Sequence, residues 1–133
     1  MHFEKEIISK ETLGPFSVSV LNDGIIYVEL TEFMEDVDLT SIENLTELIG
    51  KLSNGIPAKI IINIKSFNTM TEEAKKYSAS QRGQRFTKAN AIVINSLAAK
   101  LGANFFIRFF KPVTPTKVFN SVIEAKAWLH SLN

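Results

Sequence analysis

Apolar positions along the chain fall into two kinds of pattern. Two runs, Lys59-Ile60-Ile61-Ile62-Asn63-Ile64 and Ala91-Ile92-Val93-Ile94-Asn95, are almost continuously apolar and rich in β-branched residues. A strand apolar on both sides must be covered on both sides, which predicts parallel strands sandwiched between helices. Phe16-Ser17-Val18-Ser19-Val20 alternates instead, as a half-buried strand does. Asn22-Asp23-Gly24 then turns the chain, because Asp-Gly tolerates the positive φ of tight turns, and residues 25–30 form the return strand.

Helical spacing fills the intervals. A first helix starts near Asp38 or Thr40, where Thr40-Ser41-Ile42-Glu43 fits a capping box. Ile42, Leu45, Ile49 and Leu52 give it one apolar face, and Ser53-Asn54-Gly55 with Pro57 ends it. Thr69 or Thr71 caps a second helix carrying Glu72 and Glu73 in its first turn, where carboxylates suit the positive end of the dipole. That helix ends or bends around residues 80–83, because Gly83 weakens it. Ser96 caps a third, reaching to about Phe110, before Pro112 and Pro115 forbid helix. A short strand at residues 116–119 precedes a second capping box, Ser121 to Glu124, and a final helix expected to bury Val122, Ala125, Trp128, Leu129 and Leu132. Residues 1–14 read as an extended arm and 15–133 as a single domain. The order predicts an α/β fold with an N-terminal β-hairpin, a mostly parallel sheet and helices on both faces.

Composition narrows the function. The 133 residues contain no cysteine, which removes disulfides, thiolate metal sites and cysteine nucleophiles. Fifteen Lys and Arg against fourteen Asp and Glu leave no overall nucleic-acid footprint. No apolar run approaches the roughly 20 residues of a membrane span, and the start lacks a secretory pattern, so a cytoplasmic protein is expected.

The hairpin at residues 16–30, the run Ile60-Ile61-Ile62-Asn63-Ile64 and the tail Val118-Phe119…Glu124-Ala125…Trp128-Leu129 resemble the STAS domain of bacterial anti-sigma-factor antagonists, and the antagonist-like STAS/SEC14 proteins of unknown function. The resemblance implies a regulatory, non-enzymatic module that binds a protein, such as an anti-sigma or kinase-like regulator. STAS antagonists carry an Asp-Ser-Ser/Thr-Gly type motif, whose hydroxyl a kinase phosphorylates, at the start of the helix after this central strand. Ungapped matching puts Thr71-Glu72-Glu73-Ala74 in that slot. Glutamates there imply a missing phospho-switch and fixed negative charge.

Ligands of open α/β sheets bind outside the carboxyl ends of the strands. There the sequence collects Lys65, Ser66, Asn68, Thr69, Thr71, Asn95 and Ser96, and the helix starts at Thr71 and Ser96 offer N–H groups to an anion. Arg82, Arg85 and Lys88, with Lys75 and Lys76, make a locally basic segment suited to phosphate, an acidic partner or an anionic lipid head group, though a solvated helix face with a Glu72–Lys76 pair is the plainer reading. Partner- or anion-binding candidates are therefore Lys65, Asn68, Thr69, Thr71, Glu72, Glu73, Arg82, Arg85, Asn95 and Ser96. Glu29, Glu32, Glu35, Asp36 and Asp38 read as an acidic loop rather than paired catalytic carboxylates. His2 and His130 lie at opposite ends with no metal-ligand spacing, and no phosphate loop, nucleophile elbow or dinucleotide fingerprint occurs. No enzyme activity, cofactor or metal is expected. The alternative reading is a protein that binds a small apolar or lipid-like ligand, invited by the ten Phe.

The third helix has too much apolar surface. At about 100° per residue, Leu101, Ala98 and Phe109 lie within about 40° of Phe105, and this stripe is expected to face the sheet. Phe106 and Phe110 are then left at the margin. Either the helix ends by Phe106, or the N-terminal arm covers them through Phe3 and Ile7, or a second copy does in a homodimer.

Overall fold

The computed structural model describes residues 6–30, 36–65 and 69–132. A six-stranded sheet runs in chain order, β1 (Ile7–Leu13), β2 (Phe16–Leu21), β3 (Ile26–Leu30), β4 (Ala58–Ile64), β5 (Thr87–Val93) and β6 (Thr116–Phe119). Four helices join or follow the strands, α1 (Leu39–Leu52), α2 (Glu72–Ala79), α3 (Leu97–Phe110) and α4 (Val122–Ser131). The fold is α/β as expected, but the sheet is mixed rather than mostly parallel. β3, β4, β5 and β6 pair in parallel, while β1–β2 and β2–β3 are antiparallel.

The additional antiparallel strand is β1, within the segment read as an arm. Gly14, at φ 55°, turns the chain so that Leu13 pairs with Phe16, and the register runs back to Ile7 opposite Leu21. Residues 8–12 of β1 are all exposed, so no apolar alternation marks the strand in the sequence. It is held by its backbone ladder and carries Lys10 and Glu11 at the open edge of the sheet.

The two-faced apolar strands organise two cores. On one face Phe16, Val18, Ile26, Val28, Leu30 and Ile60 pack with Ile42, Leu45 and Ile49 of α1 and Ala74 of α2. On the other, Tyr27, Ile61, Ala89, Ala91 and Val93 pack under Ala125 and Leu129 of α4. Gly50 of α1 lets the Phe86 ring press against the helix, for a Cβ there would stand 2.3 Å from the ring. Side-chain caps define the helix starts. Asp38, not Thr40, caps α1, its carboxylate accepting from the Ser41 N–H at 2.9 Å, and Thr40 lies inside the helix. Thr71, Ser96 and Ser121 cap α2, α3 and α4 as the sequence indicates.

A buried polar knot ties the sheet to its connections. Gln84 Nε2 donates to the Ser78 carbonyl at 2.8 Å, and Gln84 Oε1 accepts from Asn90 and Thr114. Another tie holds α4 to the β2–β3 turn. Lys126 Nζ lies 2.6 Å from Glu6 and 3.2 Å from Asp23, while His130 Nε2 is 2.9 Å from Asp23. His130 thus has a carboxylate partner in addition to the helix C-terminus. Burial opposes ionisation of Asp23, but hydrogen bonds from His130, the Ile25 N–H and Lys126 outweigh it and hold its pKa below the usual 3.8. For Lys126, burial likewise opposes the charge, and Glu6 and Asp23 outweigh it and raise the pKa.

Trp128 is half-buried rather than buried. Its ring lies 5.5 Å from that of Phe119, and the residue of α4 wholly removed from solvent at that level is Leu129. Leu129→Ala should therefore cost about 2–5 kcal/mol in denaturant unfolding, and Trp128→Ala less than Leu129→Ala.

The Asp23 cluster predicts a pH signature. A carboxylate whose pKa is depressed in the folded state stabilises it above the unfolded value and ceases to do so as pH falls through the folded value. The difference in unfolding midpoint between wild type and Asp23→Asn should be present near pH 6 and shrink below about pH 3.8. Lys126, with a raised pKa, contributes below its unfolded value of 10.5 and loses that contribution as pH rises through the folded one.

Candidate functional site

At the carboxyl ends of the parallel strands, the described candidates occupy separate roles. Lys65 Nζ sits 3.6 Å from Glu29. Glu29 is on β3, not in a loop, and accepts a 2.7 Å hydrogen bond from the Tyr27 hydroxyl, which accepts in turn from Asn63 Nδ2 at 2.8 Å. Burial, together with the Glu29 hydrogen bond, pushes the Tyr27 phenol well above its ordinary range. Thr69 Oγ1 donates to Asp36, and its carbonyl accepts from the Val37 N–H. Thr71 caps Ala74, Ser96 caps Ala99, and Asn95 is exposed. Glu72 and Glu73 are exposed in the first turn of α2, and Glu72 pairs with Lys75 at 3.7 Å rather than with Lys76. Asn68, Ser66, Glu32 and Glu35 lie outside the described residues.

The edge is therefore more acidic than its helix N-termini suggest. Glu29 on β3, Asp36 and Asp38 leading into α1, and Glu72 and Glu73 on α2 lie at it, with Lys65 and Lys75 already paired. This balance favours a basic or neutral contact over an anion. Asp38 is held below its usual pKa by hydrogen bonds from Ser41 at the start of α1. No group of three or more metal-ligating side chains occurs among the described residues.

The basic segment is partly structural. Arg85 joins α1 to α2: it donates to Glu47, to the Tyr77 hydroxyl at 3.1 Å and to the Arg82 carbonyl at 2.6 Å, and its guanidinium lies 4.8 Å from the Phe86 ring centre. The Tyr77 hydrogen bond raises its pKa. Arg82 and Lys88 are exposed. Lys88 lines an open groove of about 400 Å³ at the opposite edge of the sheet, with Asp23, Leu52, Ile56, Pro57 and Lys59 among its walls.

The largest departure from expectation is α3. None of its fourteen residues is buried. Leu97, Leu101, Phe105 and Phe109 are 73%, 64%, 59% and 64% exposed, and Val113 just beyond is 52% exposed. Phe106, Ile107 and Phe110 are on the half-buried side. The stripe expected to face the sheet thus faces solvent, and Phe106 and Phe110 face inward. Topology explains the reversal. Right-handed crossovers put α1, α2 and α3 on one face, and among the described residues α3 packs chiefly on α2 and the four-residue edge strand β6. Phe105 and Phe109 stack on each other at 5.3 Å, and Phe109 meets Phe110 edge-on at 5.0 Å.

A charge asymmetry runs along the chain, legible in the sequence but hidden by the near-zero net charge. Between Glu73 and Glu124 there is no Asp or Glu, whereas Lys75, Lys76, Arg82, Arg85, Lys88, Lys100, Arg108, Lys111 and Lys117 all fall there.

The family model for a domain of unknown function (DUF7793) matches residues 19–133. The chain belongs to that family. No curated protein and no solved structure matches it. The DUF7793 match begins within β2 and takes in all four helices, the acidic edge and the exposed stripe of α3. No helix among the described residues is long and apolar enough to cross a membrane.

The geometry of Thr71 predicts its fate with kinases. Its Oγ accepts from the Ala74 N–H at 3.2 Å, and an added phosphate would stand beside Glu72 and Glu73. Phosphopeptide mapping after incubation with anti-sigma-type kinases should find no stoichiometric phosphate on Thr69 or Thr71. Glu73→Ala should change helix stability by only about 0.3–1 kcal/mol.

Proposed function

We propose that this DUF7793 domain is a non-enzymatic regulatory interaction module of STAS-like type that binds a protein through α3. The observation that carries the reading is the row Leu97, Leu101, Phe105 and Phe109, 59–73% exposed on a helix with no fully buried residue. Exposed apolar residues scattered singly are ordinary, but a continuous row on one helix is the kind of surface that partners cover. The acidic opening turn of α2 beside it supplies polar contacts for orienting the partner, as the STAS resemblance implies for this slot. Of the described titratable groups at the same edge, Glu29 pairs with Lys65, Glu72 with Lys75, and Asp36 and Asp38 accept from Thr69 and Ser41, which suits a contact surface better than a reaction centre.

A small apolar ligand is the second reading. The open groove of about 400 Å³ at the far edge supports it, being within the usual size range of ligand sites and walled in part by Val20, Ile25, Ile26, Leu52, Ile56 and Pro57. A native mass spectrum of protein purified from its host separates the two, since a bound ligand adds a discrete mass to the 14.9 kDa chain.

A benzophenone amino acid in place of Phe105 tests the docking reading in cells. Irradiation should give one defined protein adduct from position 105 and none from a control at Glu11 on β1, which is also exposed. Absence of any protein adduct at 105 would overturn the reading.

A further inference from the structure

We infer that the occupant of the α3 face is a second copy of this chain, packed as an antiparallel pair of α3 helices about a two-fold axis. The inference rests on the docking reading above and names its partner.

Shape is the first argument. Leu97, Leu101, Phe105 and Phe109 repeat every four residues and form one ridge of large side chains. Ala98 and Gly102, also exposed, run beside it as a shallow row of small ones. A Cβ placed on Gly102 would meet nothing within 4 Å, so this row is open to an incoming side chain. A helix that carries both a ridge and a neighbouring groove at the same spacing is complementary to itself: under a two-fold operation each ridge enters the other's groove.

Area is the second. A Phe side chain carries about 150–250 Å² of surface, so the exposed portions of Leu97, Leu101, Phe105, Phe109 and Val113 amount to on the order of 100 Å² each. Two such faces remove on the order of 1,000 Å², which meets the threshold of about 1,000 Å² for a specific interface before any flanking polar residue is counted.

Charge is the third. α2 and α3 each follow a parallel strand and open at the same edge of the sheet. Glu72 and Glu73 mark that edge, with Lys75 and Lys76 further along α2 and Lys100 in the first turn of α3, while Arg108 and Lys111, both exposed, mark the far end of α3. An antiparallel pair directs the basic end of each copy toward the acidic edge of the other, twice over. A parallel pair would set like charges together. An anionic membrane surface would meet Arg108 and Lys111 favourably but Glu72 and Glu73 unfavourably.

Light scattering on the size-excluded full chain, between about 1 and 100 μM, reads the association directly, with formation of a particle twice the 14.9 kDa chain mass expected. Phe105→Asp should give a monomer with an unchanged far-ultraviolet spectrum and cooperative unfolding, because no buried contact is lost. Ile8→Asp, at a position 67% exposed on β1, should leave the dimer intact. The double reversal of Glu72→Lys and Glu73→Lys should weaken association at least tenfold, and adding Arg108→Glu and Lys111→Glu in the same chain should restore it.

A wild-type monomer at 100 μM would overturn the inference, as would a dimer that survives Phe105→Asp. A monomer that co-sediments with phosphatidylglycerol vesicles through Phe105 would assign the face to a membrane instead. A cellular adduct at position 105 to a different protein, with the purified chain monomeric, would reject the second copy while leaving the docking reading standing. Absence of any protein adduct removes both.

Discussion

Everything in this fold follows from β4. It is paired in parallel on both sides and presents Ile60, Ile62 and Ile64 to one face and Ile61 to the other. Such a strand cannot face water on either side, so a layer of helix is needed above and below. Right-handed crossovers then assign α1, α2 and α3 to one face and leave the other to α4. The sheet has room for two helices on the crowded face. α1 and α2 take it, and α3 is displaced past the last strand with little to cover.

This competition explains what could and could not be read from the chain. The two isoleucine-rich strands, the Asp-Gly turn and the caps at Thr71, Ser96 and Ser121 are local signals, each tied to a backbone need that the residue itself supplies. β1 has no such signal because an edge strand exposed on both sides gains nothing from apolar alternation. Asp38 outranks Thr40 as a cap although both offer a suitable acceptor oxygen in sequence, and only the path of the chain into α1 decides between them. The inward side of α3 was the least legible. Phenylalanines stand on both arcs, Phe105 and Phe109 on one, Phe106 and Phe110 on the other. Amphipathicity cannot orient a helix that is apolar on two sides; the neighbouring elements do.

The candidate site shows the same division. Residue types at the strand ends indicated polar chemistry, and the structure distributes it: Lys65 to Glu29, Thr69 to Asp36, Thr71 to its own helix, Arg85 to Glu47 and Tyr77. These partners come from elements tens of residues apart or from helix ends, so no spacing rule foretells them. The basic stretch without a single carboxylate was readable, yet a net charge of +1 conceals it, because the acidic residues are concentrated elsewhere in the chain.

The two margins of the sheet carry a different consequence. An unpaired strand edge is a template on which other chains can polymerise. Here β1 carries Lys10 and Glu11 at its middle, and β6 is four residues long and preceded by Pro112 and Pro115. Both margins therefore resist strand-by-strand growth. Loss of β1 would leave β2 paired with β3 alone, its outer row of backbone groups open beside an apolar core. β1, exposed over residues 8–12, works as a selvedge: it puts a short polar strand, rather than apolar β2, at the open margin of a sheet rich in isoleucine.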